Sequence, residues 1–457
     1  MKPKLMAGLA LATAFALPAH ANPFETMLPN GMRVIVKEDR RAPSVVHMVW
    51  YKVGAIDEVD GTSGVAHVLE HMMFKGTKNL KPGEFNQRVA RAGGRDNAFT
   101  SHDYTAYFQQ VPKRALPEMM KLEADRMENL IVSDEEFSKE IKVVMEERRL
   151  RTDDKPQALV YESLMSTSFQ AHPYRRPIVG WMNDLENMTA ADARDWYRRW
   201  YAPNNAYVIV VGDVDKDAVF RLAERHYGRT PSRALPGRKP QLEPAQVGIK
   251  RLVVKAPAKL PYLSMAWKVP ALRDLQLDRD PYALEVLAGV LDGHEGARFA
   301  RNLVRGAQVA VSAGAGYDAT VRGEALFSVA GTPAEGRTVA DLEAALRAEI
   351  ARVASEGVSA EELGRVRTQL IAAQVYKRDS MMAQAMEIGR LEASGVHWRD
   401  IDTLLEKIRS VTAEEVQAVA RKHFGDATLT VAVLDPQPLP PSSPSGAAQK
   451  SVTTSRH

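Results

Sequence analysis

Two histidines four residues apart, His67 and His71, enclose a glutamate in the run His67-Val68-Leu69-Glu70-His71. On an α-helix, positions i and i+4 share a face, so both imidazoles can point at one metal ion. Glu70 borders that face, where it can take a proton from a water beside the metal without being a ligand. The chemistry such a trio supports is activation of water by a metal ion and a carboxylate base. A histidine pair on a helix is often a surface or satisfied core feature. Here Val65, Ala66, Leu69, Met72 and Met73 make the segment apolar. Two imidazoles and a carboxylate in a mostly buried helix need a compensating partner. Thr62 or Ser63 is the expected N-cap, and Gly76 stands just past the expected end.

A zinc ion that does chemistry keeps three protein ligands and one open position. Candidates for the third lie between Phe137 and Arg149, a second helical segment with carboxylates at Glu140, Glu146 and Glu147. Glu140 and Glu147 are two helical turns apart and project from one face, whereas Glu146 is turned away by about 100°. A segment this rich in Lys, Glu and Arg is normally a solvated face. Only its combination with the histidine pair makes one of these carboxylates a ligand.

With these motifs in view, the chain resembles the inverzincin zinc peptidases, the family of pitrilysin, insulin-degrading enzyme and the mitochondrial processing peptidases, in a short two-domain form. That family's pattern is H-x-x-E-H followed some 75 residues later by E-x6-E. The resemblance implies zinc on His67, His71 and Glu147, with Glu70 as general base and Glu140 as an auxiliary carboxylate. Glu146 and Glu147 both stand near the family distance, and the partner Glu140 seven before favours Glu147. The stretch from Gly93 to Thr100 resembles a G-G-x-x-N-A-x-T segment, which implies a strand beside the metal with Asn97 and Ala98 near the substrate backbone. His172 to Gly180 and Trp200 to Asp213 also match, and the likeness runs from about residue 24 to 435. One departure stands out. The family has an Arg and a Tyr seven apart in the C-terminal half, and the alignment puts Asn302 and Val309 there. The implied function is a zinc metalloendopeptidase cutting peptides or unfolded polypeptides in an enclosed chamber. A homologous partner subunit would then supply the Arg/Tyr pair in a heterodimer, a homodimer being the other arrangement. The rival is a catalytically silent assembly or binding subunit of the same fold.

The elements that must position these residues fall into two halves. Asn187 to Tyr201 is echoed by Ser410 to Phe424, each a helix capped by a threonine, Thr189 or Thr412, and each followed by a strand. Strands mixed with long helices argue an α+β fold: two homologous clam-like halves, each a mostly antiparallel sheet covered by helices. The expected boundaries are a signal peptide at 1–21, a zinc-binding domain at 22–230, a Pro-rich linker at 231–248, a homologous non-catalytic domain at 249–435 and a disordered tail at 436–457. The first 21 residues have a basic start, an apolar run of about 13 residues and an Ala19-His20-Ala21 cleavage site. That run is shorter than the roughly 20 residues a membrane span needs. Cleavage would yield a periplasmic or secreted protein beginning at Asn22. A formal charge of +4 gives no footprint for nucleic acid, and the phosphate-cradling G-x-x-x-x-G-K pattern is absent. With no cysteine, a thiol nucleophile, a thiolate metal site and disulfides are all excluded.

Overall fold

The computed structural model describes residues 23–439, so the expected leader at 1–21 and most of the expected tail lie outside them. Two sheets form the frame. The first comprises β1 (Phe24–Met27), β2 (Arg33–Glu38), β3 (Ser44–Tyr51), β4 (Arg95–Thr100), β5 (Thr105–Pro112) and β6 (Ala206–Gly212), in the order β1-β2-β6-β3-β5-β4. The second comprises β7 (Lys250–Pro257), β8 (Tyr262–Val269), β9 (Ala310–Tyr317), β10 (Ala325–Pro333) and β11 (Leu429–Gln437), in the order β7-β11-β8-β10-β9. Without β1 the two orders superpose. Each has a single parallel pair at the corresponding place, β2 with β6 and β7 with β11. The echo in sequence is therefore an echo in topology. β11 keeps its pairing with β7 through Gln437, two residues past the boundary expected at 435.

The central strand β3 shows why both faces of the first sheet must be covered. Alternate side chains enter opposite layers: Val45, Val49 and Tyr51 join one core, and Val46, Met48 and Trp50 join another. The first layer holds the helices of the N-terminal half. The second is closed by Met381, Ala385 and Ile388 of the helix Met381–Ser394, which comes from the C-terminal half. The reverse exchange also occurs. The helix Pro156–Ser168 lays Val160 and Leu164 against Ala256, Ala266, Ala432 and Leu434 of the second sheet. Each half thus lends a helix to the other half's sheet.

The threonine caps lie where the sequence puts them. Thr189 with Asp192 and Thr412 with Glu415 form capping boxes at the helices Ala190–Trp200 and Ala413–His423. Residues 231–248 contain no helix or strand, yet they are tied to both halves. Arg238 lies over the Trp200 ring at 4.6 Å and bonds Asp57. The Glu243 carboxylate accepts from the backbone of Gln170, Ala171 and His172 and from Lys268. Among the described residues, no helix is long and apolar enough to cross a membrane.

Candidate metal centre

The helix Val65–Met72 carries His67, Glu70 and His71, and the helix Asp134–Arg148 carries Glu140 and Glu147. The first helix starts one residue later than expected. Its N-cap is Gly64 at φ +87°, with no side-chain cap of its own. Ser63 cannot cap it, because its hydroxyl donates to Asp184 and accepts from the Trp181 backbone. Glu58 does the capping instead, accepting from the Gly64 and Ala66 amides at 2.9 Å each. Burial pushes Glu58 up to about 8, against the pull of those two amides.

The two helices bring His67, His71 and Glu147 together. Glu147 Oε2 lies 3.2 Å from His71 Nε2 and 3.6 Å from His67 Nε2. One ligand atom from each residue fits within a 4.8 Å set, the sole group of three or more of its kind among the described residues. Ligands at zinc distances on a tetrahedron are separated by roughly 3.4 Å, so two of these spacings suit such an ion. Glu146 does not join the set. It is exposed and pairs with Arg149 at 3.1 Å. Glu140 Oε1 stands 3.0 Å from His71 Nδ1, on the far side of the ring from Glu147, while its other oxygen meets Lys75. A carboxylate in that position fixes the tautomer and orientation of a ligand imidazole.

The charge balance also suits a cation. Burial alone would lower His71, but its bonds to Glu140 and Glu147 outweigh this and raise it to about 9. Burial works against ionisation of Glu147, yet the bond from His71 and the charges of both imidazoles hold it down at about 2. Burial and the neighbouring His71 lower His67 to about 3, which leaves it neutral and free to ligate. A proton on His71 thus does the electrostatic work that a metal ion would do there. Burial raises Glu70 to about 7, against the pull of a hydrogen bond from Thr100 Oγ. That value suits a base working near neutrality. Sequence reasoning misses Thr100 in this role, although it lies in the same motif stretch as Asn97 and Ala98.

Asn97 and Ala98 sit on β4, an edge strand of the first sheet, and line one cleft with His67, His71 and Glu147. The cleft measures about 1840 Å³. Val143, Leu150 and Tyr161 line it too, each at least half exposed, so one wall is apolar. The positions aligned with the family's Arg/Tyr pair are elsewhere. Asn302 donates to Glu349, and Val309 is buried in the second core; neither lines the cleft.

Fold and site together define a class: a two-module α+β protein that presents an inverted histidine motif and a distant glutamate to one metal position. The chain belongs to the insulinase family of peptidases, family M16. Residues 33–181 match the profile described as "Insulinase (Peptidase family M16)", and residues 187–370 match "Peptidase M16 inactive domain". An uncharacterized zinc protease of Mycobacterium bovis is 30% identical over 419 residues, 91% of this chain and 93% of that protein. The zinc protease PqqE of Helicobacter pylori is 37% identical over 290 residues, 62% of this chain and 63% of its own length, so this match spans less than two thirds of that protein. Among solved structures, a protease from Helicobacter pylori superposes with a TM-score of 0.86 at 29% identity, covering 91% of this chain and all of that one. The periplasmic protease PqqL of Escherichia coli has the same fold, with a TM-score of 0.78 at 19% identity; the match covers 93% of this chain and 49% of that one.

Proposed function

We propose that this chain is a zinc-dependent endopeptidase, exported after removal of residues 1–21, that holds one zinc on His67, His71 and Glu147. The observation that carries the reading is the convergence of those three ligand atoms beside a half-buried Glu70, whose carboxyl is raised to about 7, in one cleft. Bound there, zinc would polarise the scissile carbonyl and acidify a neighbouring water. Glu70 takes the proton of the attacking water and returns it to the leaving amine nitrogen. Thr100 holds the Glu70 carboxylate in place, and Glu140 holds the His71 ring. The outer edge of β4 at Asn97 and Ala98 lines the cleft, and the Ala98 amide, which donates to Asn97 Oδ1 at 2.8 Å, would exchange that bond for one to an extended peptide. The size of the cleft and its apolar wall suit peptides or unfolded polypeptides.

The test is elemental analysis together with peptide hydrolysis. Wild type should carry one zinc and cut. Glu70→Gln should keep the zinc and lose at least about a hundredfold in kcat, since an amide cannot accept the proton. Retained activity within tenfold would reassign the base, and stoichiometric zinc surviving in His71→Ala would remove the site.

A second reading rests on Asn302 and Val309, which leave the cleft without the Arg/Tyr pair of the family. In it, the chain is the zinc-bearing subunit of a heterodimer whose homologous partner completes substrate orientation; a homodimer is the alternative, and a silent binding subunit the rival. The match to only half of PqqL supports pairing of two such units. Cleavage by the purified chain should be weak and rise by orders of magnitude when a homologue encoded nearby is added. Full activity as a homodimer, unchanged by that homologue, would refute the pairing.

A further inference from the structure

The two ligand-bearing helices are anchored to one segment, residues 177–184, that neither the metal nor the proposed chemistry uses. On one side, Asp184 Oδ2 accepts from the Ser63 amide at 3.1 Å and from the Ser63 hydroxyl at 2.6 Å, just ahead of the His67 helix. The Trp181 amide donates to the same hydroxyl at 2.9 Å. On the other side, Arg148, the residue after Glu147, donates from Nη1 to the Gly180 carbonyl at 2.9 Å. A pair of bonds to Glu162, at 2.8 and 2.9 Å, holds its guanidinium in place. The three residues that make the clamps are buried: Ser63, Arg148 and Asp184 are 0%, 5% and 8% exposed.

Between these clamps the segment is packed without slack. Gly64 and Gly180 meet back to back. A Cβ on Gly64 would lie 2.5 Å from the Val179 carbonyl, and one on Gly180 would lie 2.4 Å from the Ser63 carbonyl. Both have positive φ, +87° and +90°, so the contact is closed to side chains on steric and backbone grounds alike.

We propose that residues 177–184 form a strut that sets the separation of the two helices, with Asp184 and Arg148 as the positioning residues that clamp it to either side. The reason lies in tolerance. Metal–ligand distances hold to within about 0.2 Å, and the direct packing of the two helices in the first core is one restraint on that spacing. The segment bonded to the residue after Glu147 and to Ser63 ahead of His67 adds a second, hydrogen-bonded one. The proposal rests on the metal reading above.

The experiment measures zinc affinity by competition with a chromogenic chelator for the full-length protein and for Asp184→Ala, Arg148→Lys and the double variant. The melting temperature of each metal-free form is recorded alongside. Each single variant should lose tenfold or more in zinc affinity, within the 10–100-fold range typical of groups that support metal ligands. The double variant should lose little more than the worse single one, because both release the same strut. The visible spectrum of the cobalt-substituted variants should change in shape, which a loss of general stability would not produce. Unchanged affinity in both singles, or losses that multiply in the double, would overturn the strut. Should Asp184→Ala not fold, Ser63→Ala takes its place. It deletes only the hydroxyl links, and it should lose at least threefold; wild-type affinity in it would equally overturn the proposal. A wild-type protein that takes up no zinc would instead sink the metal reading, so the two failures are distinct.

Discussion

His71 is where the charges of the cluster meet, with Glu140 on one ring nitrogen and Glu147 near the other. With its value raised to about 9, it carries a proton at pH 7 in the metal-free protein. Zinc and that proton compete for the same nitrogen, so zinc uptake at pH 7 should release about one proton. The release should fade as pH rises through 9, and apparent zinc affinity should climb over the same range. Titration calorimetry in buffers of different ionisation enthalpy measures this directly; zinc uptake without proton release would contradict it. At the same scale, Glu147→Gln should weaken zinc binding and Glu146→Gln should not. The spacing to His71 leaves both glutamates in play. Helical geometry and the partner Glu140 favour Glu147, and the structure puts that one beside the histidines, with Glu146 out at Arg149. Thr100, Glu58 and Asp184 are harder to see from sequence. Their roles depend on partners 30, 6 to 8 and 121 positions away, and no local pattern encodes those meetings.

The elements were legible where their signals are local. The threonine caps, the strands after them and the helices that carry His67 and Glu147 follow from propensity, capping and apolar periodicity. The start of the His67 helix was not, because its nominal cap Ser63 is drawn off by Asp184, 121 positions away, and Glu58, six positions before Gly64, takes over. Nor does anything in the helix Met381–Ser394 announce which sheet it covers. Its approach depends on Gly389, where a Cβ would stand 2.1 Å from the Trp50 ring, and on the Gly389 carbonyl, which accepts from the Tyr207 hydroxyl. Gly389→Ala should therefore destabilise the protein by about 1–3 kcal/mol, as overpacking of a tight core does. The urea midpoint of the purified variant checks this. A midpoint equal to wild type would mean that the helix shifts freely on the sheet.

At the scale of the molecule, the two halves expected from the repeat are present as sheets but not as separable bodies. A fragment ending near residue 230 keeps the first sheet and loses its cover, baring Ile35, Val46, Met48, Trp50 and Ile209. It should be insoluble or lack a cooperative transition, whereas the full chain should melt in one step. Scanning calorimetry of both decides; a fragment that folds and melts cooperatively would show the exchange of helices to be dispensable. The exchange was invisible in sequence because it pairs segments far apart in the chain, Trp50 with Ile388 and Val160 with Ala256 among them, and a two-fold repeat predicts two self-contained units just as well. It also sets a timetable. Trp50 leaves the ribosome early, but its covering helix begins at Met381. At roughly 5–20 residues per second, the gap is on the order of tens of seconds. Throughout that interval the face of the first sheet that carries Val46, Met48 and Trp50 has no helix of its own chain to cover it, so the first half cannot close before the last quarter of the chain is made.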